Sequence, residues 1–218
     1  MKQAERTQTT ETKAGGARRA FLARVFAFGA CAVLLAGLSA WPAAAQVMVN
    51  RRLVAQAEQY TGDRFRFTAT TPRGARVVTV SRPRAEWLRA VDDGLSELFA
   101  VARRHGYGAR LNYADYTVFI ARADRTRDSA GAYSPDVAYV APGYAGSVYD
   151  QGGYIYAAGM TFSMEPPALV IAEHERDFQR MANVVRYEGE HLVLYHNDRR
   201  LFSQTADHSR GGGHPILQ

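Results

Sequence analysis

Four of the six histidines fall in the last 38 residues, inside the run from Met181 to Pro215. Within that run the segment VVRYEGEHLVL places Tyr187, Glu188 and His191 at positions that a helix would bring together. Residues four apart share a face, so Tyr187 stands over His191, and Glu188 lies beside them, three residues before His191. Such spacing lets two side chains grip one ion. Zinc takes imidazole, thiolate or carboxylate donors at about 2.0–2.3 Å, and a hydrolytic site also needs a carboxylate to accept a proton from water. Glu188 is the candidate base. His208 and His214 follow 17 and 23 residues after His191. They flank Ser209-Arg210-Gly211-Gly212-Gly213, a flexible segment that can fold a ligand back onto a helix face at little backbone strain.

A plainer reading stands beside this one, in which Glu188, Glu190 and His191 are the solvated face of an amphipathic helix. Three features favour the metal. Gly189 within a helix costs about 1 kcal/mol against alanine, which points to close approach of another backbone or a ligand. Apolar flanks on both sides of the motif imply burial, where ionisable groups are costly unless paired or coordinated. Packing does not readily account for two histidines in a segment dominated by glycine. Elsewhere, Glu173-His174-Glu175 is a rival cluster that reads more simply as a charged helix N-terminus. His196, five residues after His191, lies well round the helix and is a poor partner for the same ion.

The segment resembles the active-site helix of the zincin metallopeptidases, whose pattern is an apolar run, H-E-x-x-H, and a second apolar run. Val184, Val185, Glu188, His191 and Leu192 match that frame, while Tyr187 occupies the place of the first histidine. The resemblance implies Glu188 as general base, His191 as a zinc ligand, and His208 or His214 as further ligands. Tyr187 would be an unusual fourth ligand or an oxyanion donor. It also implies a peptide or protein substrate lying against an edge strand, for which Tyr154-Ile155-Tyr156-Ala157 is the candidate, with Tyr154 and Tyr156 contacting substrate. The strict metzincin continuation is missing, since LVLYHN follows His191.

The elements that must position these groups are readable from periodicity. Arg51–Tyr60 reads as a short helix ended by Thr61-Gly62, and Phe65–Thr70 and Ala75–Ser81 read as a hairpin about Thr71-Pro72-Arg73-Gly74. Ser81 is placed to cap a long helix from about Pro83 to His105, with Asp92, Asp93 and Glu97 off its apolar stripe and therefore solvated. His105 suits the C-terminal end of that helix dipole. Tyr116–Ala121 is the clearest strand, and 125–134 reads as a surface loop. The tyrosine- and glycine-rich stretch from Val137 to Met160 reads as one or two hairpins, or as a substrate or partner surface. Ala168–Ala172 is a buried strand or the start of a final helix that runs to about His196.

The N-terminus reads as an export signal. Arg18, Arg19 and Arg24 precede an apolar core over Val25–Ala40 and a small-residue cleavage site at Ala43-Ala44-Ala45, and Arg18-Arg19-Ala20-Phe21-Leu22 is similar to a twin-arginine motif; a Sec signal is the alternative. The core is too short for a membrane anchor, and cleavage would leave none. The 218-residue chain carries 27 basic and 21 acidic residues. The leader holds six of the former and two of the latter, so residues 46–218 have 21 against 19, a net charge of +2. The overall pI near 9.6 is therefore partly a leader effect and implies no nucleic-acid binding. Cys31, the only cysteine, lies in the leader. A chain from residue 46 onward has no disulfide, thiolate ligand or cysteine nucleophile, and any metal falls to His, Glu, Asp or Tyr.

The expectation is an export signal over 1–45 and a single zincin-like α+β domain over 46–218, a mostly antiparallel sheet packed on two long helices. Its expected function is a periplasmic or extracellular zinc-dependent hydrolase, most simply a peptidase. The alternative is a catalytically inactive zincin-like protein, or a binding or structural protein of the cell envelope.

Overall fold

In a computed structural model the chain is described over residues 49–123 and 136–218. The expected leader and the loop at 125–134 lie outside these residues. Helix α1 (Arg51–Thr61) starts where the Asn50 side chain accepts the Arg52 N–H at 2.9 Å. Strands β1 (Phe67–Thr70) and β2 (Arg76–Thr79) form the anticipated antiparallel hairpin. Helix α2 (Ala85–Arg104) then crosses to β3 (Thr117–Ala121), which pairs parallel to β2. Strands β4 (Val137–Val140) and β5 (Tyr154–Ala157) make a separate antiparallel pair. β6 (Gly159–Ser163) turns into β7 (Ala168–Ala172), antiparallel to it and parallel to β3. The chain ends in α3 (Phe178–Asn197), α4 (Arg199–Thr205) and the tail.

The main sheet has the order β1-β2-β3-β7-β6. The architecture is α+β, with antiparallel pairings at both edges of the sheet and in β4–β5. The centre of the sheet departs from the expected pattern: β2, β3 and β7 run parallel. The reason is visible in TVFIA and ALVIA, which are buried at every position because both faces of these strands are covered. Val77, Val118, Ile120, Leu169 and Ile171 pack against α2 and α3, whereas Val78, Phe119, Val170 and Ala172 pack against α1 and the β4–β5 pair. The alternate side chains of each strand thus serve two cores, giving three layers.

Helices α2 and α3 pack closely because small residues face the seam. A Cβ on Gly94 would overlap the Ala182 carbonyl, and one on Gly189 would come within 2.6 Å of Leu98 Cδ2. The helix-breaking cost of Gly189 is thus offset by helix packing. Two details of α2 differ from expectation. Its N-cap position is Arg84, which makes no side-chain cap, so Ser81 does not cap it. Asp92 is only 4 % exposed, and its Oδ2 accepts the Arg73 N–H at 2.9 Å, which ties the β1–β2 turn to the helix; it is not solvated surface.

Candidate metal centre

The site is assembled by α3 and by the chain that doubles back from it. Asp177 caps the start of α3, its carboxylate accepting the Arg180 N–H at 2.9 Å. The helix carries Tyr187, Glu188, Glu190 and His191 toward the sheet edge and the tail. Asp198 then stops α3 and caps α4 through the Leu201 N–H at 2.9 Å. A single turn over His208–Arg210, capped by Asp207, reverses the direction. Gly211 adopts φ +81°, a left-handed conformation that glycine takes without strain. Gly212 and Gly213 donate to the carbonyls of Asp207 and Thr205 at 3.0 and 2.9 Å. A Cβ on Gly212 would overlap the Thr205 carbonyl oxygen. The glycine segment is therefore a hydrogen-bonded turn, and it returns Ile216 to the helix-side core, where it is buried.

This path brings His208 and His214 to His191. The ring centroids form a nearly equilateral triangle, with sides of 5.1 Å (His191–His208), 4.9 Å (His191–His214) and 4.9 Å (His208–His214). One nitrogen from each ring lies within 4.8 Å of the others, and among the described residues this is the one group of three or more His, Cys, Asp or Glu so placed. A tetrahedral ion with nitrogens at 2.0–2.1 Å needs them about 3.3 Å apart, a difference that side-chain rotation can close. His191 Nδ1 and His208 Nε2 are buried and have no hydrogen-bond partner. Unpaired buried nitrogens are costly, and a metal would satisfy them.

The electrostatics suit ligation. Burial, reinforced by His214 and His208, holds His191 well below the ordinary histidine value, at about 3. Burial and His214 also lower His208. Both therefore offer neutral imidazoles at pH 7, the form that binds metal. No family model matches this chain, and neither does any curated protein or solved structure. The chemistry of the site rests on this geometry.

Glu188 is tied to β6, its Oε2 accepting the Thr161 N–H at 3.1 Å while Thr161 Oγ1 donates to the Glu188 carbonyl at 2.6 Å. Burial raises its carboxyl to about 7, against the opposing effects of His214 and the Thr161 N–H. A cavity of about 260 Å³ opens here, lined by Glu188, His191 and His208 and by the apolar Ile155, Met160, Met164 and Phe202 among others.

The remaining candidates are placed less centrally. The Tyr187 ring packs against His214 at 4.9 Å, but the residue is 38 % exposed and its hydroxyl lies 3.5 Å from Arg186 Nη2. Tyr156 lines the cavity; Tyr154, on the same strand, is half-exposed and does not. β5, expected as the edge beside the metal helix, belongs to the two-stranded β4–β5 sheet and lines the cavity through Ile155, Tyr156 and Ala157, while the main-sheet edge that bonds to Glu188 is β6. His174 is a structural residue whose Nδ1 accepts the Asp177 N–H at 2.9 Å, and His196 Nε2 lies 3.0 Å from the Met164 carbonyl, away from the triangle.

Glu190 has no role in the metal reading of the sequence and enters only the plainer one, as a solvated glutamate. It is 0 % exposed, its Oε1 accepts the Ile216 N–H at 2.9 Å, and its Oε2 lies 3.2 Å from His214 Nδ1. That last pair is within reach but out of line, so both atoms remain without an aligned partner. The signal was local: Glu190 precedes His191 in an apolar run, where a free carboxylate is costly.

Proposed function

We propose that the protein is an exported, zincin-like zinc hydrolase, most simply a peptidase, acting in the periplasm or outside the cell. The observation that carries this reading is the triangle of His191, His208 and His214 beside a carboxyl raised toward neutrality. An all-imidazole donor set fits zinc, copper, nickel or iron better than magnesium or calcium, and zinc needs no redox partner for hydrolysis. Zinc held there supplies Lewis-acid polarisation of a carbonyl and lowers the pKa of a water toward 7. Glu188, anchored at Oε2 by the Thr161 N–H, would use Oε1 to take the proton from the attacking water and return it to the leaving amine. Ile155, Met160, Met164 and Phe202 would take an apolar side chain of the substrate and exclude water around the reacting bond. The export signal read over residues 1–45 supports the location.

A second reading, a non-catalytic binding or envelope protein, is favoured by two observations. Tyr187 replaces a ligand histidine and turns its hydroxyl toward Arg186. Val140, Val148, Tyr149, Tyr154 and Tyr156 form most of the exposed large hydrophobic residues among those described, an available partner surface around β4–β5.

The deciding experiment is elemental analysis of native protein and His191→Ala, followed by cleavage of a peptide library by native protein and Glu188→Gln. One equivalent of zinc, lost in His191→Ala, with cleavage abolished in Glu188→Gln, supports the enzyme. Zinc without cleavage supports the binding protein, and Tyr187→His then tests descent from an enzyme by gain of activity. No metal in native protein ends the enzyme reading and leaves the envelope binding protein in first place.

A further inference from the structure

We propose that Glu190 is the positioning residue of the centre, holding His214 with Nδ1 protonated and Nε2 free for the metal, and making metal loading depend on docking of the C-terminal segment. This rests on reading the three histidines as a metal site. Two donors converge on one buried carboxylate: the Ile216 N–H on Oε1 and His214 Nδ1 opposite Oε2. A carboxylate can only accept, so an aligned pair forces the proton of His214 onto Nδ1 and leaves the Nε2 lone pair available. Carboxylates behind ligand imidazoles commonly act in this way, fixing both tautomer and ring direction.

Glu190 Oε2 and His214 Nδ1 are both buried and neither has another hydrogen-bond partner. A buried acceptor and a buried ring nitrogen 3.2 Å apart are each costly alone and need only a small rotation to satisfy one another. The other carboxylate oxygen serves the backbone two residues beyond His214, so one side chain on α3 orients a ligand and fastens the segment that carries it. Because that segment also carries His208, two of the three imidazoles arrive only when residues 206–218 are docked. Glutamine cannot substitute for this glutamate. It has a single acceptor oxygen for two donors, and an amide N–H turned toward Nδ1 would select the wrong tautomer.

The test is a double-mutant cycle on zinc affinity, measured by competition with a chromophoric chelator. Glu190→Gln should raise the Kd by about 10- to 100-fold. His214→Ala should also raise it, and Glu190→Gln/His214→Ala should bind no more weakly than His214→Ala alone. Full additivity would mean that Glu190 acts independently, as a direct ligand or a general structural support, and would overturn the proposal. So would native affinity in Glu190→Gln, which leaves the metal reading intact. A native protein that binds no zinc overturns both. On the native zinc-loaded protein, nitrogen NMR should show His214 protonated at Nδ1; an unprotonated Nδ1 overturns the proposal without any variant having to fold.

Discussion

Substituting each of two neighbouring glycines by alanine should have very unequal consequences for metal binding. At Gly212 a Cβ would overlap the backbone oxygen of Thr205 and lie 2.7 Å from that of Asp207, and neither atom can rotate away. At Gly213 the nearest atom outside the adjacent chain is Gln218 Nε2, at 3.8 Å, an ordinary contact. In Gly212→Ala the turn must open, which lengthens or breaks the Gly212 N–Asp207 O and Gly213 N–Thr205 O bonds. Overpacking costs about 1–3 kcal/mol and each of the two weakened hydrogen bonds about 0.5–1.5 kcal/mol, so about 2–6 kcal/mol is lost from the docked tail. If docking supplies His208 and His214, zinc affinity falls by as much as that free energy, about 30-fold at the low end and about 30,000-fold at the high end. Gly213→Ala should bind within about 3-fold of native, the range of a substitution that meets only ordinary contact and is worth under 0.5 kcal/mol. Chelator competition measures both affinities, and thermal unfolding of the metal-free proteins shows that the body of the fold is intact. Native affinity in Gly212→Ala, or equal losses in the two variants, would refute the assignment of tail ligands.

Three further outcomes are expected. Metal-free protein should lose stability in acid: His191 is held at about 3, so below about pH 6.5 the unfolded chain takes up a proton that the folded one refuses, and stability present above 6.5 erodes as pH falls, by at most about 1.4 kcal/mol per pH unit. Glu188, raised to about 7, contributes stability that is full below its ordinary 4.5 and is lost as pH rises through 7, so it opposes this trend from 7 to 4.5 and the loss should steepen below 4.5. Denaturant titrations of native protein and His191→Asn in chelator check this; parallel curves would contradict it. The zinc form should bind a benzyl hydroxamate about 10-fold or more tighter than acetohydroxamate, since seating a phenyl group among Ile155, Met160 and Phe202 buries about 100 Å² worth about 2.5 kcal/mol; equal calorimetric affinities would remove the apolar subsite. Asp92→Ala should cost about 1–2 kcal/mol in urea unfolding by stranding the Arg73 N–H, and an unchanged midpoint would return Asp92 to the surface.

The short-range pattern of the chain was sufficient to locate most elements. The apolar periods of α2 and α3, the turn residues between β1 and β2, and the strand TVFIA all fall within a few residues of their observed bounds, because helix and strand periodicities are local properties. The sequence also singled out His191, His208, His214 and Glu188, through histidines placed where packing could not explain them. It could not show that the centre of the sheet is parallel, since a buried apolar run such as ALVIA reads alike in either direction. It placed Asp92 on a solvated face and left Glu190 open between a solvated face and a buried site, because a charged residue's burial depends on a partner distant in the chain: the Arg73 N–H in one case, Ile216 and His214 in the other. The residue types that can hold a metal were thus determined by the sequence alone. Their convergence was decided by tertiary structure, through a turn that only Gly212 fits and a buried carboxylate that receives the returning tail.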